Sequence, residues 1–135
     1  MGKSNSILIA DRNPHIRDFL KRELVACGYN IRHVQNGKEL LKLIYSRSRI
    51  DLLVLDPEVP GVEATEMARK IVDRIPQLPV VLFYTRGNDD ISDFNAGNVF
   101  LVEKNGQSIE ILKAVIQEIL TDPGIHAPSS LKPVR

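Results

Sequence analysis

The chain has 135 residues, 43% of them hydrophobic, which suits one domain with one core and excludes a disordered tail. Eighteen basic and seventeen acidic residues leave a formal net charge of +1, so nothing in the balance points to a nucleic-acid binder. A single cysteine, Cys27, excludes an internal disulfide, and no apolar run approaches the roughly 18 residues that span a bilayer. The N-terminus lacks the longer apolar segment of a secretory signal, so a soluble, cytoplasmic protein with no membrane partner is expected. Met1, Gly2 and Ser6 fit the myristoylation pattern M-G-x-x-x-S, a motif too short to outweigh that expectation.

The first apolar run, Ser6 to Ala10, predicts a short buried strand ending at Asp11. Asn13 and Pro14 supply an N-cap and a proline at the first helical position. Ile16, Phe19, Leu20, Leu24 and Cys27 then recur at helical spacing, and Gly28 supplies the stop. Tyr29 to Val34 reads as a second, more polar strand. Asn36-Gly37 breaks it, and Leu40, Leu41 and Ile44 mark a second helix. Ile50 to Leu55 is nearly continuous in apolar residues and ends at Asp56, as expected of a central parallel strand buried on both faces. Pro57, Pro60 and Gly61 form a loop, and Ala64 to Ile75 carries a clean apolar helix face. Val80 to Tyr84 is a fourth strand ending at Thr85. Residues 86–97 are polar, with Ile91 and Phe94 the only anchors for a helix. Val99 to Val102 is a fifth strand, followed by Glu103 and Lys104. A last helix carries Ile109, Leu112, Val115, Ile116, Ile119 and Leu120 and stops at Asp122-Pro123-Gly124. The expected organisation is one domain over 1–122 and a flexible C-terminal tail over 123–135.

Strands alternating with helices require a parallel sheet with right-handed crossovers and helices on both faces. Ligands of such open sheets sit beyond the carboxyl ends of the strands. Asp11, Asp56, Thr85 and Lys104 all fall there, at four different strand ends. Singly, each has an ordinary explanation: a turn or cap aspartate, a strand threonine, a solvated lysine. Together they suit phosphoryl chemistry. Two neighbouring carboxylates repel unless a cation separates them, and a hard oxygen site suits Mg²⁺. Thr85 offers a hydroxyl donor, and Lys104 a charge able to pair with Asp56 or a phosphate.

The pattern resembles the receiver domains of two-component response regulators over about residues 5–122. The matching stretches are Ile7 to Asp11, Leu53 to Asp56 with Pro60 four residues later, Val80 to Thr85, and Phe100 to Lys104. The resemblance implies an α/β flavodoxin-like fold with strand order 2-1-3-4-5. It implies Asp56 as phosphoacceptor, with Asp11, Asp56 and the backbone carbonyl of Glu58 as Mg²⁺ ligands. Thr85 would be the switch hydroxyl and Lys104 the phosphate-pairing cation. The implied partners are a histidine kinase or phosphotransfer domain and a downstream protein effector, or an output domain missing from the chain. The domain would take phosphate on its own Asp56 and signal by conformational change, without turning over an external substrate.

This sequence departs from the family pattern at several points. Ala10 stands where the first of two adjacent acids is expected. Arg86 replaces a small residue after the switch hydroxyl, where its side chain would cover the pocket or pair with a phosphate. Asn105 replaces a proline, Ala64 a glycine, and Leu101 the switch aromatic. Phe100, one residue away, points to the opposite face of its strand. The stretch from Thr85 to Lys104 is short by about one helical turn, so the fourth helix should be short or distorted. Ala10, Arg86 and the short fourth helix favour the alternative of a pseudo-receiver, a phosphorylation-independent protein-interaction module, whereas the intact Asp56, Thr85 and Lys104 favour the phosphorylatable receiver. A haloacid-dehalogenase-like phosphatase would need Asp where Glu58 stands, and no G-x-G-x-x-G loop supports dinucleotide binding. His15, His33 and His126 are scattered and form no metal site. Arg17, Lys21 and Arg22 on the first helix form a solvated face or a docking patch for an acidic partner.

Overall fold

The structure is a computed structural model and describes residues 4–87 and 89–121. The expected tail, the helix stop at 122–124, His126 and the start of the M-G-x-x-x-S pattern lie outside those residues. In chain order the elements are β1 (Ser6–Ala10), α1 (Pro14–Ala26), β2 (Asn30–Val34), α2 (Gly37–Ile44) and β3 (Leu52–Leu55). They continue with α3 (Ala64–Arg74), β4 (Pro79–Tyr84), β5 (Asn98–Glu103) and α4 (Ser108–Thr121). All strands pair in parallel in one sheet ordered β2-β1-β3-β4-β5.

The local signals act as their chemistry dictates. Asn13 is the N-cap of α1, its side chain accepting from the His15 N–H at 2.8 Å, and Pro14 opens the helix. Gly28 takes φ +96° just past the helix end, a conformation that other residues adopt only under strain. Asn36 caps α2 in the same way through the Glu39 N–H at 2.9 Å. β3 is the central strand and all four of its residues are buried, which explains its unbroken apolar run.

The pleat divides the core in two. Leu8, Ala10, Leu53, Leu55, Leu82 and Leu101 face α2 and α3. Ile7, Ile9, Leu52, Val54, Phe83 and Phe100 face α1 and α4. Phe100 and Leu101 therefore lie on opposite faces, and the aromatic ring cannot serve the face that Leu101 occupies.

The β4–β5 crossover goes further than the expected short or distorted helix. Among its described residues it holds only turns and bends, and no helix. Phe94 is buried from this segment against the α2–α3 side of the sheet, with Ile91 packed beside it. Two apolar anchors suffice to seal that face but not to offset the cost of ordering a helix. Among the described residues no helix is long and apolar enough to cross a membrane.

Candidate functional site

The backbone ladders run to the strand ends and fix the site from below. The Asp56 N–H donates to the Ala10 carbonyl at 2.8 Å, and the Asp11 N–H to the Val34 carbonyl at 3.2 Å. The Lys104 N–H donates to the Tyr84 carbonyl at 2.7 Å. With Ala10 level with Leu55 in the register, Asp11 and Asp56 stand side by side at the carboxyl edge. Both are almost wholly buried, at 1% and 0% exposure.

Buried carboxylates demand partners, and every one of these oxygens has one. Asp11 Oδ1 accepts from the Asn13 N–H at 2.9 Å, and its Oδ2 pairs with Lys104 Nζ at 3.2 Å. The same ammonium lies 5.5 Å from the centre of the Phe83 ring, within cation–π range. Asp56 Oδ1 accepts from the Glu58 N–H at 3.0 Å, and Oδ2 from the Arg12 N–H at 3.1 Å. Arg12 Nε adds an ion pair to that Oδ2, also at 3.1 Å. The far side of the Arg12 guanidinium, Nη2, bonds Asp89 Oδ1 at 3.2 Å. Asp89 in turn accepts from the Thr85 N–H at 2.8 Å and returns its own N–H to the Thr85 carbonyl at 3.1 Å. A second tie, from the Asp90 N–H to Glu58 Oε2 at 3.2 Å, joins the loop after β3 to the same crossover.

Burial is the largest influence on Asp11 and pushes its pKa up. The Asn13 N–H and Lys104 oppose that push, and the negative charge of Asp56 adds to it. Burial opposes the charge on Arg12, but Asp56, Asp89 and Asp11 outweigh it and raise its pKa above the usual value. Three acids and two cations are thus joined by ion pairs of 3.1 to 3.2 Å at and just beyond the carboxyl edge.

The four expected residues do converge at one edge, and four of the expected details change. Lys104 pairs with Asp11, not with Asp56, because the cation over Asp56 is Arg12. Arg86 neither covers the pocket nor approaches Asp56: its side chain is 70% exposed and its Nε reaches Glu103 at 3.5 Å. Ala10 does not stand in for a missing acid. It is fully buried in β1 as part of the core, and the position beside Asp56 belongs to Arg12. Arg17 is also withdrawn from the proposed docking patch, since its Nη1 donates to the Asp11 carbonyl at 2.7 Å. Arg12 and Asp89 are the functional residues that the sequence reading missed. A basic residue directly after a strand-end acid was the one available signal for Arg12; Asp89, one of several polar residues in a turn, gave none. No cluster of three or more metal-ligating His, Cys, Asp or Glu side chains occurs among the described residues, so a metal here would rest on two carboxylates and a carbonyl.

A doubly wound parallel sheet with buried acids, a hydroxyl residue and cations gathered at its carboxyl edge, where open sheets of this kind bind their ligands, defines a flavodoxin-like α/β module. The chain belongs to the response regulator receiver domain family, whose pattern it matches over residues 7–117. It is 37% identical over 86 residues to the transcriptional regulatory protein AfsQ1 of Streptomyces coelicolor, covering 64% of this chain and 37% of that protein. Response regulator MprA of Mycolicibacterium vanbaalenii is 34% identical over 91 residues, covering 67% and 38%. The chain therefore spans less than two fifths of these relatives. Among solved structures, response regulator TrrA of Thermotoga maritima, crystallised in complex with Mg²⁺-BeF, superposes with a TM-score of 0.71 at 32% identity. That match covers 85% of this chain and 98% of the other. TrrA in complex with histidine kinase ThkA superposes at 0.72, with 31% identity and 86% and 98% coverage.

Proposed function

We propose that this receiver domain accepts a phosphoryl group on Asp56 from a histidine kinase or phosphotransfer domain in the cytoplasm and passes the change to a protein partner. A carboxylate oxygen of Asp56 forms the new P–O bond while the P–N bond of the donor phosphohistidine breaks and the imidazole leaves. The observation that carries this reading is the position of Asp56: fully buried at the end of the central strand, with backbone N–H groups of Glu58 and Arg12 fixing one oxygen each. Positioning and charge neutralisation are most of what such a transfer requires. Thr85, at the end of the neighbouring strand, has the hydroxyl to donate a hydrogen bond to a phosphoryl oxygen, and Lys104 has the charge to move from Asp11 to the phosphate.

The donor set fits Mg²⁺, because two buried carboxylates offer hard oxygens and their mutual repulsion favours a cation between them. Asp11, Asp56 and the Glu58 carbonyl would hold the ion, which would supply positive charge to offset that of the phosphoryl oxygens. Arg12 supports a second reading, a pseudo-receiver, because its guanidinium already neutralises Asp56. Incubation with Mg²⁺ and acetyl phosphate, followed by intact mass, separates the two. Gain of one phosphoryl group by wild type and none by Asp56→Asn is expected. No gain by wild type, with partner binding retained, replaces the phosphoacceptor reading by the second one.

A further inference from the structure

Arg12 touches two things at once: the Asp56 carboxylate through Nε and, through Nη2, the carboxylate of Asp89 in the β4–β5 crossover. Asp89 is 2% exposed in its side chain and clasps Thr85 with two hydrogen bonds, its carboxylate accepting from the Thr85 N–H and its own N–H donating to the Thr85 carbonyl, so its position is coupled to the end of β4. A planar guanidinium is suited to bridging two carboxylates in this way, whereas an ammonium is not. Arg12 itself is 44% exposed, so it can swing into solvent without leaving a hole in the core. On the opposite side Lys104 is committed to Asp11.

We infer that Arg12 is a tethered counter-ion of Asp56: it competes with a divalent cation for the carboxylate and, through Asp89, latches the helix-free crossover to the phosphoacceptor. A divalent ion at Asp56 then displaces a bound cation instead of entering an open acidic pocket. Displacement leaves Asp89 with one charge partner fewer and loosens residues 85–97. The receiver would thus report the state of Asp56 by release of a latch, in a segment whose described residues form no helix. This rests on the cation-binding part of the reading above.

Mg²⁺ alone is the probe, titrated into the full chain and followed by NMR and by amide exchange. Arg12→Gln should bind Mg²⁺ about tenfold more tightly than wild type or better, since an opposite charge within bonding distance commonly biases a carboxylate by that much. Arg12→Lys, which keeps the charge but not the fork, should stay as weak as wild type. Saturating Mg²⁺ should speed exchange at Thr85 and Asp89 in wild type and leave it unchanged in Asp56→Asn. Equal Mg²⁺ affinity in wild type and Arg12→Gln overturns the inference while leaving the cation site standing. Arg12→Lys as tight as Arg12→Gln overturns charge competition, and unchanged exchange at saturation overturns the latch. Failure of both Arg12→Gln and Arg12→Asp to bind Mg²⁺ removes the cation site itself and the inference with it.

Discussion

Replacing Lys104 by methionine tests the electrostatics of the sheet edge most directly. The substitution keeps the length and apolar stem of the side chain and deletes its charge. Lys104 is 15% exposed and Asp11 2% in their side chains, so the pair at 3.2 Å is largely shielded from water. Removing one partner of a buried pair leaves the other charge uncompensated, at about 3–5 kcal/mol. Asp11 retains the Asn13 N–H, and Lys104 is not fully buried, so the lower end applies. The expected loss is about 3 kcal/mol, or a fall in Tm of roughly 10 °C for a domain of this size. Urea unfolding followed by circular dichroism gives the free energy, and the double variant Asp11→Asn/Lys104→Met gives the coupling. Because asparagine keeps the shape of Asp11 without its charge, the double variant should recover about half of the loss. A loss below about 1 kcal/mol in the single variant, or a double variant no more stable than the single, would refute the assignment of Lys104 as the counter-ion of Asp11.

Three further outcomes follow from the structure. A Cβ on Gly37 would meet the Val62 Cβ at 2.9 Å, so Gly37→Ala should destabilise the fold by about 1–3 kcal/mol, and only Val62→Gly, which removes that Cβ, should relieve the clash, whereas Val62→Ala should not. Glu23 is held below its usual value of 4.5 by its hydrogen bond and charge pairing with Lys113, so it contributes stability above that pH and loses it as pH falls through the lower, folded-state value. Part of the drop in Tm on acidification below 4.5 should therefore vanish in Glu23→Gln. Amides of residues 86–97 should exchange faster than those of Val80 to Phe83, which lie in a strand paired on both sides; equal protection would show that the crossover is held by more than Phe94 and Ile91.

The framework was legible because its signals are local. Asn13-Pro14, Gly28 and the unbroken run before Asp56 each state their structure within a few residues, and alternation of strand and helix leaves few topologies. Asp11, Asp56, Thr85 and Lys104 could be brought together from the strand ends alone. The pairing among them could not. Which cation takes which carboxylate depends on side-chain reach across strands, and Arg12 claims Asp56 only because it turns back from the first residue beyond Asp11. The expectation at Ala10 fails for a related reason: a family pattern does not say which side chain packs and which reaches the edge, and Ala10 packs with Leu8, Leu53 and Leu55 while Arg12 reaches Asp56. The missing helix was foreshadowed by the low apolar content of 86–97, but the complete replacement of a helix by turns depends on how well Phe94 seals the sheet.

The helix-free crossover also bears on the order in which the sheet assembles. It spans residues 85–97, the shortest of the four connections between strands; the others span 11–29, 35–51 and 56–78. It joins the two strands with the longest register, from Pro79 opposite Asn98 to Tyr84 opposite Glu103. Closing the shorter loop costs about half a kcal/mol less than closing the longest one. The β4–β5 pair therefore combines the smallest entropic penalty with the largest number of backbone bonds gained, which favours it as an early structured element in the folding transition state. Truncation of Val99 to alanine should slow folding more than it speeds unfolding, whereas truncation of Ile31 in β2 should do the reverse.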